Sequence, residues 1–334
     1  MGSTRKLSRK VNVFFIALIA LLLFIPGAVK AEKQLFRIGS ASLGSSGYIH
    51  WEACAFLANK YAPNLKASSL ATAGSTEDAK LLDAKSIELG HGTSLDLVSA
   101  WEGKKPFKKK MHPWQVFSWT NWSLPMVTLA DSGLKTYYDL ADKQVSLIKK
   151  GSGTETMYRN ILEEYGLLNK IKKNYLSFRA SLNALVDGRI VAFPGNFPGG
   201  KPHPIMIDLA SRKAYKVLEL DLEVMKKVRK KNPGIIVTVL PKSAYDGLTK
   251  DMNCPGLAGI GLSSAAVSDD LIYAFTKAVL DHTDELHSIS KVSGATTLQN
   301  ATKWFLPEYP IHPGAVRYFK EKGIWRDDLK IGKR

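Results

Sequence analysis

The sequence predicts an α/β fold, on three observations. Runs that read as strands alternate with runs that read as helices. Two β-α-β-α-β sets with similar segment lengths follow one another. Three short glycine/hydroxyl loops sit where a strand gives way to a helix: Gly44-Ser45-Ser46-Gly47, Gly74-Ser75-Thr76-Glu77 and Gly151-Ser152-Gly153-Thr154-Glu155. Such alternation marks an α/β layer with a largely parallel sheet.

In the first set, Leu35 to Ile38 reads as a strand leading into the first loop. From Tyr48 to Tyr61, Trp51, Cys54, Ala55, Ala58 and Tyr61 recur at helical spacing, and Pro63-Asn64 ends the run. Leu65 to Thr72 is the next strand region, Asp78 to Ala84 a short helix, and Ser86 to Gly92 a strand reaching Thr93-Ser94. Lys104 to Pro113 is basic and loop-like, and Val116 to Ala130 aromatic and apolar. The second set opens with a short helix from Asp139 to Lys143 and a strand from Val145 to Ile148 before the third loop. Thr156 to Tyr165 reads as a helix, Tyr175 to Phe178 as a strand, Ala180 to Val186 as a helix and Ile190 to Phe193 as a strand. Pro194 to Pro204 holds four prolines and three glycines and reads as a shaped loop. Beyond it come helices from Pro204 to Ser211 and Leu222 to Lys231, strands from Lys216 to Leu220, Ile235 to Leu240 and Leu257 to Leu262, and one long helix from Asp269 to Ser288.

The first 31 residues have a different character. Arg5, Lys6, Arg9 and Lys10 precede an apolar run from Val13 to Ile25, and Val29-Lys30-Ala31 offers small residues for cleavage. That is the three-part pattern of a secretory signal peptide ending near Ala31, with an uncleaved anchor as the rival reading. The expected compartment is the periplasm. About 300 residues would remain, enough for two domains. The formal charge of +17 falls to +12 without the five positive leader residues. A basic balance fits nucleic acid, a membrane surface or an anionic ligand; export argues against nucleic acid. Two cysteines 200 residues apart, Cys54 and Cys254, make neither a disulfide framework nor a metal motif, and whether they bridge stays open.

Catalytic patterns are weak. Ser40-Ala41-Ser42-Leu43-Gly44 lacks the first glycine of a nucleophile elbow, no phosphate-binding Gly-x-x-x-x-Gly-Lys-Ser/Thr run is present, and His282 and His287 do not share a helix face. Trp114, Trp119 and Trp122 fit either a pocket wall or a core. The loops carry more. A helix N-terminus leaves backbone N–H groups unpaired and partly positive, glycine lets a ligand approach, and hydroxyls add donors. Three such loops suggest a site for a small anion, most simply a carboxylate. The expected holders are Ser46, Gly47, Tyr48, Gly74, Ser75, Ser152, Gly153 and Thr154, with Ser42, Ser94, Asn196 and Pro202 shaping the pocket. The competing reading of Ser152 and Thr154 is a plain helix cap.

The same loops resemble those of the TAXI family, the extracytoplasmic solute receptors of tripartite ATP-independent periplasmic (TRAP) transporters. The resemblance runs through Ile38 to Leu57, Ala71-Thr72-Ala73-Gly74-Ser75, Ala130-Asp131-Ser132-Gly133-Leu134, the third loop, Leu176-Ser177-Phe178 and Gly199-Gly200-Lys201-Pro202-His203-Pro204, and ends with Ile311 to Trp325. It implies a type II periplasmic-binding-protein fold, two α/β lobes around a ligand cleft, with lobe one over 32–126 and 256–334 and lobe two over 127–255. It implies capture of a small organic acid of the amino-acid or dicarboxylate class and delivery to a TRAP permease, with no catalysis, no cofactor and no metal, by a monomer. Two stretches depart from the family pattern: Ser46-Gly47-Tyr48-Ile49, without the family's threonine and second tyrosine, and Thr93-Ser94-Leu95, with Asp96 one place late. Both fall where side chains read a ligand. An exported enzyme on the same fold and a sensor without a permease remain as alternatives.

Overall fold

The computed structural model describes residues 33–41, 43–150 and 152–334. The signal-peptide segment, Ser42 and Gly151 lie outside these residues. No helix among the described residues is long and apolar enough to cross a membrane.

The first set forms β1 (Gln34–Gly39), α1 (Ser46–Tyr61), β2 (Leu65–Leu70), α2 (Ser75–Asp83), β3 (Leu89–Thr93) and α3 (Ser94–Glu102). Hydroxyl caps set two of these helix starts: Ser45 Oγ accepts from the Tyr48 amide and Thr93 Oγ1 from the Asp96 amide. The chain then runs through β4 (Trp114–Ser123) and β5 (Met126–Leu129), two strands where the aromatic run suggested one region. The second set forms β6 (Gln144–Ser146), α4 (Gly153–Glu164), β7 (Lys172–Asn174), α5 (Phe178–Val186), β8 (Phe193–Pro194), β9 (Phe197–Pro198), α6 (Pro204–Arg212), β10 (Tyr215–Val217), α7 (Leu222–Lys231) and β11 (Ile236–Leu240). It returns along β12 (Met252–Ser263) and ends in α8 (Asp269–Leu280), α9 (Thr283–Ile289) and α10 (Pro313–Glu321).

The main sheet has the order β2-β1-β3-β12-β4-β9, with β11 added alongside β12. The largely parallel sheet expected from the alternation is a mixed one. β1 and β3 are parallel, but β12 runs antiparallel to β3, β4 and β11. The returning chain inserts β12 between β3 and β4, a non-local pairing that local alternation does not encode. β12 is also twice the expected length, because Cys254-Pro255-Gly256 reads as a breaker in isolation yet pairs here with Ile236, Val237 and Thr238 of β11. Two smaller sheets complete the fold: β10-β5-β8, antiparallel, and β6-β7, parallel.

Other elements shift for local reasons. Tyr175 to Phe178 is not a strand, because Ser177 Oγ accepts from the Ala180 amide and starts α5 at Phe178. From Ile190 to Phe193 only Phe193 joins a named strand, while Ala192 bridges Val145 in isolation. Lys216 to Leu220 contracts to β10. The long helix from Asp269 to Ser288 breaks at Asp281-His282, where the Asp281 carboxylate accepts from the Tyr318 hydroxyl at 2.8 Å and pairs with Lys322 at 2.7 Å.

The apolar side chains gather into separate cores. One holds Phe36, Trp51, Leu89, Phe117, Trp119, Phe275 and Phe319. Two others draw mainly on the chain from 124 onward: one around Tyr137, Tyr158, Ile161 and Met225, which Leu95 also joins, the other around Phe193, Phe197, Met206 and Leu240. Trp122 packs against both the first and the second. Cys54 and Cys254 are both free thiols, buried in different cores.

Candidate functional site

Loop backbone comes first. Ala41, just before the first loop, adopts φ 72°, and Ile148, just before the third, adopts φ 69°. A β-branched residue in the left-handed region is a true outlier, costing on the order of 1–3 kcal/mol, and such strain collects at ligand-handling loops.

The loops open onto two cavities. The smaller, about 240 Å³, joins the second loop to the third: Gly74 and Ser75 face Ser152 and Gly153, with Asp96, Lys105 and Thr156 on the same wall. Its hydroxyls are already engaged. Ser75 Oγ donates to the Asp96 carboxylate at 2.6 Å, Thr76 Oγ1 at 3.2 Å, and Thr93 Oγ1 donates to the same group. Ser152 Oγ accepts from the Glu155 amide at 3.2 Å, so it caps α4. The chain's own carboxylate therefore occupies the hydroxyl cluster that the sequence assigns to a bound one. A second negative charge about 4 Å away costs about 4 kcal/mol at an effective dielectric constant of 20.

The larger cavity, about 440 Å³, lies beside the first loop. Gly44, Ser46 and Ile49 form one side, Trp119, Thr120 and Trp122 of β4 another, and the Pro198–Pro204 turn and Lys291–Ala295 the rest. Lys201, His203 and Lys291 line it, and no acidic side chain does. Behind it stands a locked aromatic layer. His50 stacks on Trp119 at 4.2 Å, its Nδ1 bonds Ser293 Oγ at 2.8 Å, and Ser293 donates to Ser290. Burial drives the His50 pKa well below the ordinary value, with charge repulsion from His91 and His287 adding to it, so His50 is neutral. His91, pushed by burial to about 4, is neutral too and accepts from Trp51 Nε1 at 3.2 Å, which puts its proton on Nε2.

The predicted residues thus divide. Gly74, Ser75, Ser152 and Gly153 share the smaller cavity; Ser46 and Pro202 line the larger. Tyr48 and Thr154 are half-buried and line neither. Gly47 is buried against His91, where a Cβ would come within 3.3 Å of Cε1. Asn196 turns a buried Oδ1 that has no partner into the protein. Ser94 is fully buried and bridges two distant segments, its Oγ donating to the Gly234 carbonyl at 2.6 Å and accepting from the Ala258 amide at 3.0 Å. Ser94→Ala is expected to lower stability by about 1–3 kcal/mol, read by chemical denaturation, because it strands two buried backbone groups.

The model of the NMT1-like family matches residues 38–323. The chain belongs to the NMT1-like family. Among solved structures, it is similar to the periplasmic sulfonate-binding protein SsuA from Methylobacillus flagellatus, with a TM-score of 0.50, 16% identity and 88% of each chain covered. It is also similar to XAC2383 from Xanthomonas citri bound to ATP, with a TM-score of 0.52, 8% identity, 86% of this chain and 94% of that one. The likeness shows the fold: this NMT1-like chain has the α/β fold of periplasmic binding proteins, as the type II expectation held.

Sequence reasoning missed Asp96 as the acceptor of the second loop's hydroxyls, although its displaced position was visible. It missed Lys291 and Val292, which nothing in the local pattern marks. Lys201 and His203 stand inside a run singled out for its glycines and prolines.

Proposed function

We propose that this NMT1-like protein is an extracytoplasmic receptor that captures a small organic anion between two lobes and delivers it to a membrane permease. The lobes in this reading are 32–126 with 256–334, and 127–255. One observation carries it: side chains of both proposed lobes, Ser46, Trp119 and Lys291 of one and Lys201 and His203 of the other, line a single cavity that no acidic side chain lines. A ligand touching both sides holds them together, which is the logic of hinge closure. The sequence resemblance favours a TRAP permease and a carboxylate ligand of the amino-acid or dicarboxylate class. The SsuA protein similar in fold is named as part of a sulfonate ABC transporter, so an ABC permease is the competing partner. A neighbouring gene for a large multi-span permease without an ATPase favours the first.

The test begins with mass spectrometry of small molecules released from the purified full chain by mild denaturation. Calorimetry then measures the identified ligand against Ser152→Ala and Thr154→Ala. A loss of about tenfold or more in affinity is expected if these side chains touch it. Unchanged affinity with a lower melting temperature would leave them as caps of α4. Recovery of no small molecule, and no thermal shift with any anion of a broad panel, would remove the receptor reading.

A further inference from the structure

The two cavities differ in charge and in chemistry, and the difference selects a ligand class. On the wall of the smaller cavity Asp96 faces an incoming anion, and Lys105 is the one cation there. The larger is lined by the exposed lysines Lys201 and Lys291, and neither ammonium is engaged in an ion pair among the described residues. Two indoles belong to the same lining. Trp119 is 1% exposed and held by its stack on His50; Trp122 is wedged between two cores. Their rings lie edge to face at 5.4 Å. Such a wall is rigid before any ligand arrives, which lowers the ordering cost of binding. The volume equals the liquid share of about fifteen water molecules, and a mainly apolar lining with a few polar groups is how organic ligand sites are built.

We propose that the larger cavity binds an amphipathic organic anion: an aromatic or bulky apolar body against Trp122, which Trp119 backs, with its carboxylate or sulfonate held by Lys201 and Lys291. The proposal rests on the receptor reading and narrows it from a short polar acid to an acid with an apolar body. It also moves the binding charge from the helix-start hydroxyls of the second and third loops to two lysines.

The probes are naphthalene-2-carboxylate, naphthalene-2-sulfonate, the uncharged naphthalene-2-methanol, and succinate, titrated into ligand-stripped full chain by calorimetry and tryptophan fluorescence. Both naphthalene anions are expected to bind and change the fluorescence, with the neutral analogue at least about tenfold weaker. Lys201→Gln with Lys291→Gln should weaken the anions about tenfold or more and leave the neutral analogue unchanged. Because Trp122→Ala risks unfolding, Trp122→Phe is the second variant and should weaken all three naphthalenes together. A preference between carboxylate and sulfonate names the head group. Equal binding of neutral and anionic naphthalenes, or indifference to the double lysine substitution, overturns the proposal. Succinate binding without naphthalene binding leaves the receptor reading standing and overturns this one; binding of neither overturns both.

Discussion

Asp78→Asn is expected to raise stability at pH 8 by up to about 4 kcal/mol and to flatten its dependence on pH. Asp78 lies on α2 with no exposed surface, and neither carboxylate oxygen has a hydrogen-bond partner. Gly39 and Gly90 make room for it: a Cβ at Gly39 would sit 2.5 Å from Oδ1, and one at Gly90 3.1 Å from the Asp78 Cβ. Burial raises its pKa from 3.8 to about 7, partly offset by the nearby Thr72 hydroxyl and the His91 and Ala41 amides. The sign follows from proton binding. Between the unfolded and folded values the native state holds a proton that the unfolded chain has released, so stability falls as pH rises from about 4 to about 7 and is level above. A shift of this size corresponds to about 4 kcal/mol. The asparagine keeps the shape and carries no charge, so its advantage over the native residue should be absent at pH 4 and full at pH 8. Urea denaturation at the two values measures both. An equal effect of the substitution at both pH values would show that Asp78 does not titrate in this range.

Gly256→Ala is expected to cost at least about 1–3 kcal/mol and to disturb the larger cavity. In β12 a Cβ there would come within 2.3 Å of the Trp122 carbonyl oxygen and 2.7 Å of Thr238 Cγ2. Backbone cannot yield as a flexible side chain does, so the β4–β12 ladder must separate, and overpacking of this kind is destabilising by about 1–3 kcal/mol or more. Trp122 sits on that ladder, paired with Leu257. The variant should therefore show a lower denaturation midpoint together with altered tryptophan fluorescence. A stable protein with native fluorescence would mean that the two strands are less tightly joined than their geometry indicates.

Much of the local structure was legible from residue order. Ser45 and Ser152 accept from amides three residues on, as short hydroxyl side chains at helix starts do, and so α1 and α4 begin where their loops end; α3, capped in the same way by Thr93, is a helix that the sequence reading did not name. The basic helix α7 runs over the very residues the pattern named. Errors arose where two signals competed within a few residues: Ser177 as cap against Tyr175-Leu176 as strand, or Asp281 as helix stop against an unbroken apolar period.

The sequence by itself determined the α/β class and the three glycine loops at strand-to-helix junctions. These depend on local periodicity, capping and backbone permissiveness, which act within a few residues. Only the tertiary structure decided that the sheet is mixed, that β12 threads between β3 and β4, and that the three loops divide between two cavities. It alone set Asp96 among the hydroxyls of the second loop and brought Lys291 to the same cavity as Trp119 and Trp122. Such partners are distant in sequence, and which of them meet depends on how strands pair and cores pack, interactions that a local pattern does not contain.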